Sequence, residues 1–155
     1  MKIVDLRTIS GPSVFDHEPV IVLTIDLEDL AETPSQRVAG LVERLVRLLP
    51  GLHGHGCGGP DSVGDRFVER LHEGTHFGRV VQHAAIDLSQ RAGIGITDAK
   101  TVAAGAPGRY DVVTRFVSEE GMRLVLRAAV ALVQGLIAGV DEDVLAAERD
   151  AAAAE

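Results

Sequence analysis

Apolar and polar residues follow one another along the chain with two distinct periods. Residues 2–9 interleave charge with apolar side chains and end on the breaker Ser10-Gly11-Pro12, which predicts a first strand. Residues 19–27 predict a second, with Ile21, Leu23, Ile25 and Leu27 on one face and Val20 and Val22 on the other. Thr33-Pro34-Ser35-Gln36 reads as the opening of a helix, with Thr33 as cap, Pro34 at the first helical position and Gln36 closing a capping box. Val38, Leu41, Val42, Leu45, Leu48 and Leu49 follow at helical spacing until Pro50-Gly51. The Gly-rich run 51–60 has no hydrophobic period and reads as a loop, neither helix nor buried strand. A helical pair is predicted over 65–73 and 76–92, with Thr75 as cap of the second piece and Gly93 as its stop. Strands over about 94–104 and 109–117 flank the turn Gly105-Ala106-Pro107-Gly108. Ser118 then caps a last helix with an apolar stripe from Met122 to Ile137, and Gly139 ends it.

The order β-β-α-α-α-β-β-α predicts an α+β fold: a four-stranded, mainly antiparallel sheet with helices on one face. At 155 residues, one domain with a core of its own is expected. Aromatic residues are only 3%, so that core is aliphatic and a base-stacking platform for single-stranded nucleic acid is excluded. The net charge of −8 is uneven: residues 139–155 carry six acids against Arg149, a net of −5, which leaves −3 for residues 1–138. Neither part has the basic excess that phosphate backbones require, so no nucleic-acid partner is expected. The division of the chain is therefore a domain over 1–138 and an acidic, Ala-rich terminal helix or frayed tail over 139–155. A single cysteine, no signal-type apolar run and no apolar stretch of spanning length give the expectation of a cytoplasmic protein with no membrane partner.

No phosphate loop and no nucleophile elbow is present. The predicted helix 76–92 is more informative. Phe77, Val80, Val81, Ala84, Ala85 and Leu88 fall on one side, and His76, Arg79, Gln82, His83, Asp87 and Gln90 on the other. That polar stripe is either a solvated face or the floor of a site. The spacing Arg79-Val80-Val81-Gln82-His83 sets it beside H-x-x-E-H, the inverted zinc-peptidase frame. Here the frame is R-x-x-Q-H. Arginine has no lone pair for a cation, and an amide is no general base, so His83 alone remains.

Several motifs in order resemble the N-terminal domain of cyanophycin synthetase. They are Gly11-Pro12-Ser13-Val14, Leu49 through Cys57, Phe67 through Thr75, Gly78 through His83, Gly108-Arg109-Tyr110-Asp111-Val112-Val113, and Arg127 through Gln134. The resemblance runs from the first strand to about residue 138. It implies an inverzincin-like, metallopeptidase-type fold that tethers a growing Asp–Arg polymer. ATP-grasp and Mur-ligase-like domains, which lie downstream in that family, are the implied partners, and neither is expected within these residues. The degenerate frame at Arg79, Gln82 and His83 removes the expectation of hydrolysis, so no intact catalytic set and no cofactor are expected. Polymer binding needs complementary charge of both signs. The candidates for it are Arg79, Gln82, His83 and Asp87, Glu69 and Glu73 on the neighbouring helix, and Glu119 and Glu120 at the last.

Two zinc alternatives stay open. One is a relocated site using His76 and His83 with His72 and Glu73 or Glu119. The other is the loop triplet His53, His55 and Cys57. Beside the leading reading, a non-catalytic polymer-binding module of a ligase, stand a rewired metal-dependent peptidase and a structural homo-oligomer or ligase partner.

Overall fold

A computed structural model describes residues 1–12, 17–56, 66–94, 96 and 98–155. The four strands form one antiparallel sheet. They are β1 (Lys2–Ile9), β2 (Val20–Asp26), β3 (Ala99–Ala103) and β4 (Arg109–Thr114), in the spatial order β1-β2-β4-β3. The alternation within β2 explains its central place. Ile21, Leu23 and Ile25 join Val112 of β4 in the main core, where the helices pack. Val20 and Val22 join Val113 in a small cluster on the opposite face. Both faces of β2 are thus buried, while β1, at the edge, carries a register irregularity between Ile3 and Asp5.

The described residues also form five α-helices: α1 (Leu41–Leu48), α2 (Arg66–Glu73), α3 (Phe77–Arg91), α4 (Glu119–Ala138) and α5 (Glu142–Ala154). The α+β class with a four-stranded antiparallel sheet is the one expected. Several boundaries differ, each for a local reason.

The helix expected to open at Pro34 starts seven residues later, at Leu41. Ser35 is fully buried, and its hydroxyl donates to the Leu71 carbonyl at 2.8 Å and accepts from the Thr75 N–H at 3.1 Å. Residues 35–37 make only a 3₁₀ turn, and α1 begins after Gly40. The segment that looked like a capping box is a clamp on the end of α2. Ser35→Ala strands the buried Thr75 N–H and is expected to cost about 1–3 kcal/mol. A urea midpoint indistinguishable from the parent would remove that assignment.

The run after α1 is not wholly a loop: Pro50–Gly54 forms a 3₁₀ turn with Leu52 buried. The third strand is shorter than expected. The Ile94 N–H donates to the Ser89 carbonyl, and the Ser89 hydroxyl reaches the Ile96 carbonyl at 3.2 Å. Residues 94 and 96 therefore wrap the end of α3, and pairing begins at Ala99. The fourth strand ends at Thr114. Ser118 caps α4 as expected, accepting from the Gly121 N–H at 3.1 Å. Gly93 and Gly139 end their helices in the left-handed backbone, at φ 72° and 77°.

Residues 142–154 form a docked helix. Asp141 caps α5 by accepting from the Asp143 N–H. Leu145 is 1% exposed and lies against Gly135 of α4. Glu142 pairs with Arg47 at 2.6 Å and Arg44 at 3.3 Å, and Arg149 donates to the Leu48 carbonyl. α4 has the length and apolarity of a membrane span. Its stripe Met122, Val125, Leu126, Ala129, Val130, Val133 and Leu136 is buried in the main core, as in a core helix.

Candidate functional site

The polar stripe expected along α3 is not a solvated face. His83 is 4% exposed and Asp87 2%. The 3₁₀ turn 50–54 lies over them: a Cβ on Gly51 would fall 2.0 Å from Asp87 Oδ1. Asp87 is bonded to Arg91 one turn on, at 2.7 Å. His83 Nδ1 meets His55 Nδ1 at 3.1 Å, and its ring stacks on Phe67 at 3.7 Å and 15°. Burial first, then the charges of His55 and Arg79, push the His83 imidazole down to about 3. Burial also lowers His55, partly offset by the Asp87 carboxylate and by Gln90. One ring of a neutral pair donates and the other accepts, so this contact is a buried hydrogen bond between uncharged groups.

Gln82 is committed to the sheet. Its amide donates to the Ala99 carbonyl at 2.9 Å and accepts from the Thr101 hydroxyl at 2.6 Å. These contacts settle how the R-x-x-Q-H frame is used. Arg79 has no lone pair, Gln82 ties α3 to β3, and the His83 Nδ1 faces another imidazole. The frame itself therefore offers one zinc-type donor, the His83 ring. Among the described residues no three His, Cys, Asp or Glu side chains converge as metal ligands. Of the histidine candidates, His55 and His83 meet inside, His53 is exposed, and His76 stands apart at the start of α3; Cys57 lies outside the described residues.

His76, rather than Thr75, caps α3. Its Nδ1 accepts from the Arg79 N–H at 3.2 Å, which leaves the ring proton on Nε2. The ring is stacked parallel on Tyr110 of β4, centroids 4.1 Å apart and planes within 2°. Gly78 permits this: a Cβ there would sit 2.9 Å from Tyr110 Cγ and 3.0 Å from His76 Nδ1. Burial and then the Arg79 charge push His76 down to about 4, so it is neutral at pH 7.

Beside this plate opens a cavity of about 390 Å³, a size usual for small-ligand clefts. One wall is residues 31–34, which carry Glu32; the others are Arg70 of α2, the 74–76 turn and Arg79 of α3. The wall at 31–34 is held by the Leu27 N–H bond to the Gly108 carbonyl and by close contact of Ala31 with Gly108.

The expected site residues therefore separate. Arg79 lines the cavity. Glu69 and Glu73 lie exposed on α2, Glu69 4.0 Å from Arg66. His83 and Asp87 are interior. Glu119 and Glu120 are at the other end of the molecule: Gly121 beside them packs on Ile94, past the C-terminus of α3, roughly 22 Å along that helix from the cavity. There Glu119 accepts from Thr8 and Arg123, and burnishes no common surface with Arg79. Glu32 and Arg70 are residues that reading the sequence missed. Their cue was only the Thr33-Pro34 break, which says that a turn is there and not what it faces.

The model for the cyanophycin synthase-like N-terminal domain matches residues 22–138. A cyanophycin synthetase of Trichormus variabilis is 40% identical over 139 residues, covering 88% of this chain and 15% of that protein. One of Synechocystis sp. is 38% identical over 154 residues, covering 97% of this chain and 17% of that protein. The likeness to the latter thus reaches into α5, beyond the end expected near residue 138. The chain spans about a sixth of the length of these relatives. Its matched stretch takes in the sheet core, the turn 50–54, the His76–Tyr110 plate and all of α4, and by that breadth the chain belongs to the cyanophycin synthase-like N-terminal domain family.

Proposed function

We propose that this domain binds an Asp–Arg polymer and tethers it for a cyanophycin synthetase-like ligase, without itself performing catalysis. The observation that carries the reading is the cavity at the start of α3, whose lining of a space of ligand size includes Arg70, Arg79 and Glu32. A chain bearing both carboxylates and guanidinium groups is complementary to a cavity bearing both. The relatives named as cyanophycin synthetases support the choice of polymer. The hydrolytic alternative has less support, because the donor set at Arg79, Gln82 and His83 does not fit a metal.

Co-sedimentation with cyanophycin tests this. The folded chain is expected in the pellet at physiological salt, with the bound fraction falling at high salt, since exposed charge pairs are screened. A folded chain left in the supernatant at physiological salt overturns the proposal. Release of soluble peptides during the incubation overturns its non-catalytic part.

A further inference from the structure

The cavity beside His76 is not symmetric in charge, and the asymmetry says which group of a ligand enters it. Its lining holds two guanidinium groups, Arg70 and Arg79, against one carboxylate, Glu32. His76 adds no charge at neutral pH, because burial and Arg79 hold it neutral. The lining is thus net positive. His76 cannot swing away, being stacked on Tyr110 and bonded to the Arg79 N–H. Arg79 is half-buried on α3, lines the cavity, and is near enough for its charge to lower both His76 and His83. Glu32 and Arg70 are exposed, and among the described residues neither makes an ion pair within 4.0 Å.

We infer that the cavity is a carboxylate subsite, in which a carboxylate of the ligand seats between Arg79 and Arg70 and a guanidinium of the same repeat turns outward to Glu32. This rests on the polymer reading above and specifies which end of the repeat goes in. Two planar guanidinium groups suit a carboxylate, which accepts two parallel N–H bonds from each such fork. A guanidinium entering first would meet two like charges and one neutral ring. Inorganic phosphate offers the same anionic oxygens and is the competitor to exclude.

The test is calorimetric titration of the chain with an aspartyl-arginine dipeptide, with the form in which both of its carboxyl groups are amidated, and with inorganic phosphate. The dipeptide is expected to bind, and amidation to weaken it about tenfold or more, the loss of a charge-assisted bond. Arg70→Gln and Arg79→Gln should each weaken the free acid by a similar factor, while Arg127→Gln on α4 leaves it unchanged. Equal affinity for acid and amide overturns the subsite, and does so on the parent protein, with no variant needed. Phosphate binding more tightly than the dipeptide overturns it in favour of a phosphate site. If the arginine variants lose the dipeptide but cyanophycin is not retained by the parent, the subsite stands and the polymer reading falls. If cyanophycin is retained equally by parent and Arg70→Gln/Arg79→Gln, the polymer reading stands and the subsite falls.

Discussion

Acidification from about pH 7 to about pH 4 is expected to remove on the order of 3 kcal/mol of stability through His83 alone. The folded imidazole is held at about 3, against 6.5 for an unperturbed histidine. The unfolded chain therefore takes up a proton that the folded chain refuses. Stability from this source is complete above about pH 6.5 and declines as the pH falls toward 3, at about 1.4 kcal/mol per pH unit. His55 acts with the same sign, because its burial also lowers it. A domain whose total stability is about 5–15 kcal/mol loses a large part of it this way. The carboxylates cannot mimic the effect. Asp5, Asp26, Glu28, Glu119 and Glu142 are held below their ordinary values by hydrogen bonds and neighbouring cations, so their contribution begins to fade only at about pH 4.5, below the range where the histidine slope is read. Urea midpoints measured at closely spaced pH decide the matter. A curve flat down to about pH 5 would mean that the histidine pair is not buried as described. In His83→Leu the slope between about pH 6.5 and 5 should fall without vanishing, because His76, held at about 4, and His55 still act with the same sign.

Phe67→Ala is expected to cost about 3–5 kcal/mol. Phe67 is fully buried on α2, among the largest side chains in an otherwise aliphatic core, and it lies flat on His83. Removing the ring leaves a void that Leu, Val and Ala neighbours cannot fill without moving backbone. It also uncovers one face of the imidazole. Water in that void would relieve the desolvation that lowers His83, so the variant should show a shallower pH dependence along with its lower midpoint. Phe67→Leu keeps most of the volume and should cost less. A cost under about 1 kcal/mol for the alanine variant would show that the core does not close over α2.

How much of this was legible in the sequence differs by level. Strand alternation in 20–26 and the helical stripe of α4 were plain, since each element's own period states which of its faces is buried. What covers a polar face is not a local property. The stripe His83, Asp87 reads as solvent-facing because nothing in residues 76–92 reports that Gly51 will lie against Asp87. Thr33 and Thr75 satisfy the local rules for helix caps, yet Ser35 and His76 take the roles that packing against α2 and Tyr110 makes available. The cavity is the extreme case: Glu32, Arg70 and Arg79 come from three elements, and only Arg79 belonged to a recognisable spacing.

The strand order has a consequence for how the chain is made. β2 pairs with β1 on one side, a near neighbour in sequence, and with β4 on the other, where Thr24 meets Asp111 across 87 residues. During synthesis the first hairpin is complete long before its other partner exists. At about 5–20 residues per second, the inner edge of β2 stays open for roughly 5–20 s, with valines on one of its faces and isoleucine and leucine on the other. An open apolar strand edge is a template for pairing with another chain. The period before β4 emerges is when this edge is most open to pairing with another chain, and charge on the edge of β1 protects the other side only.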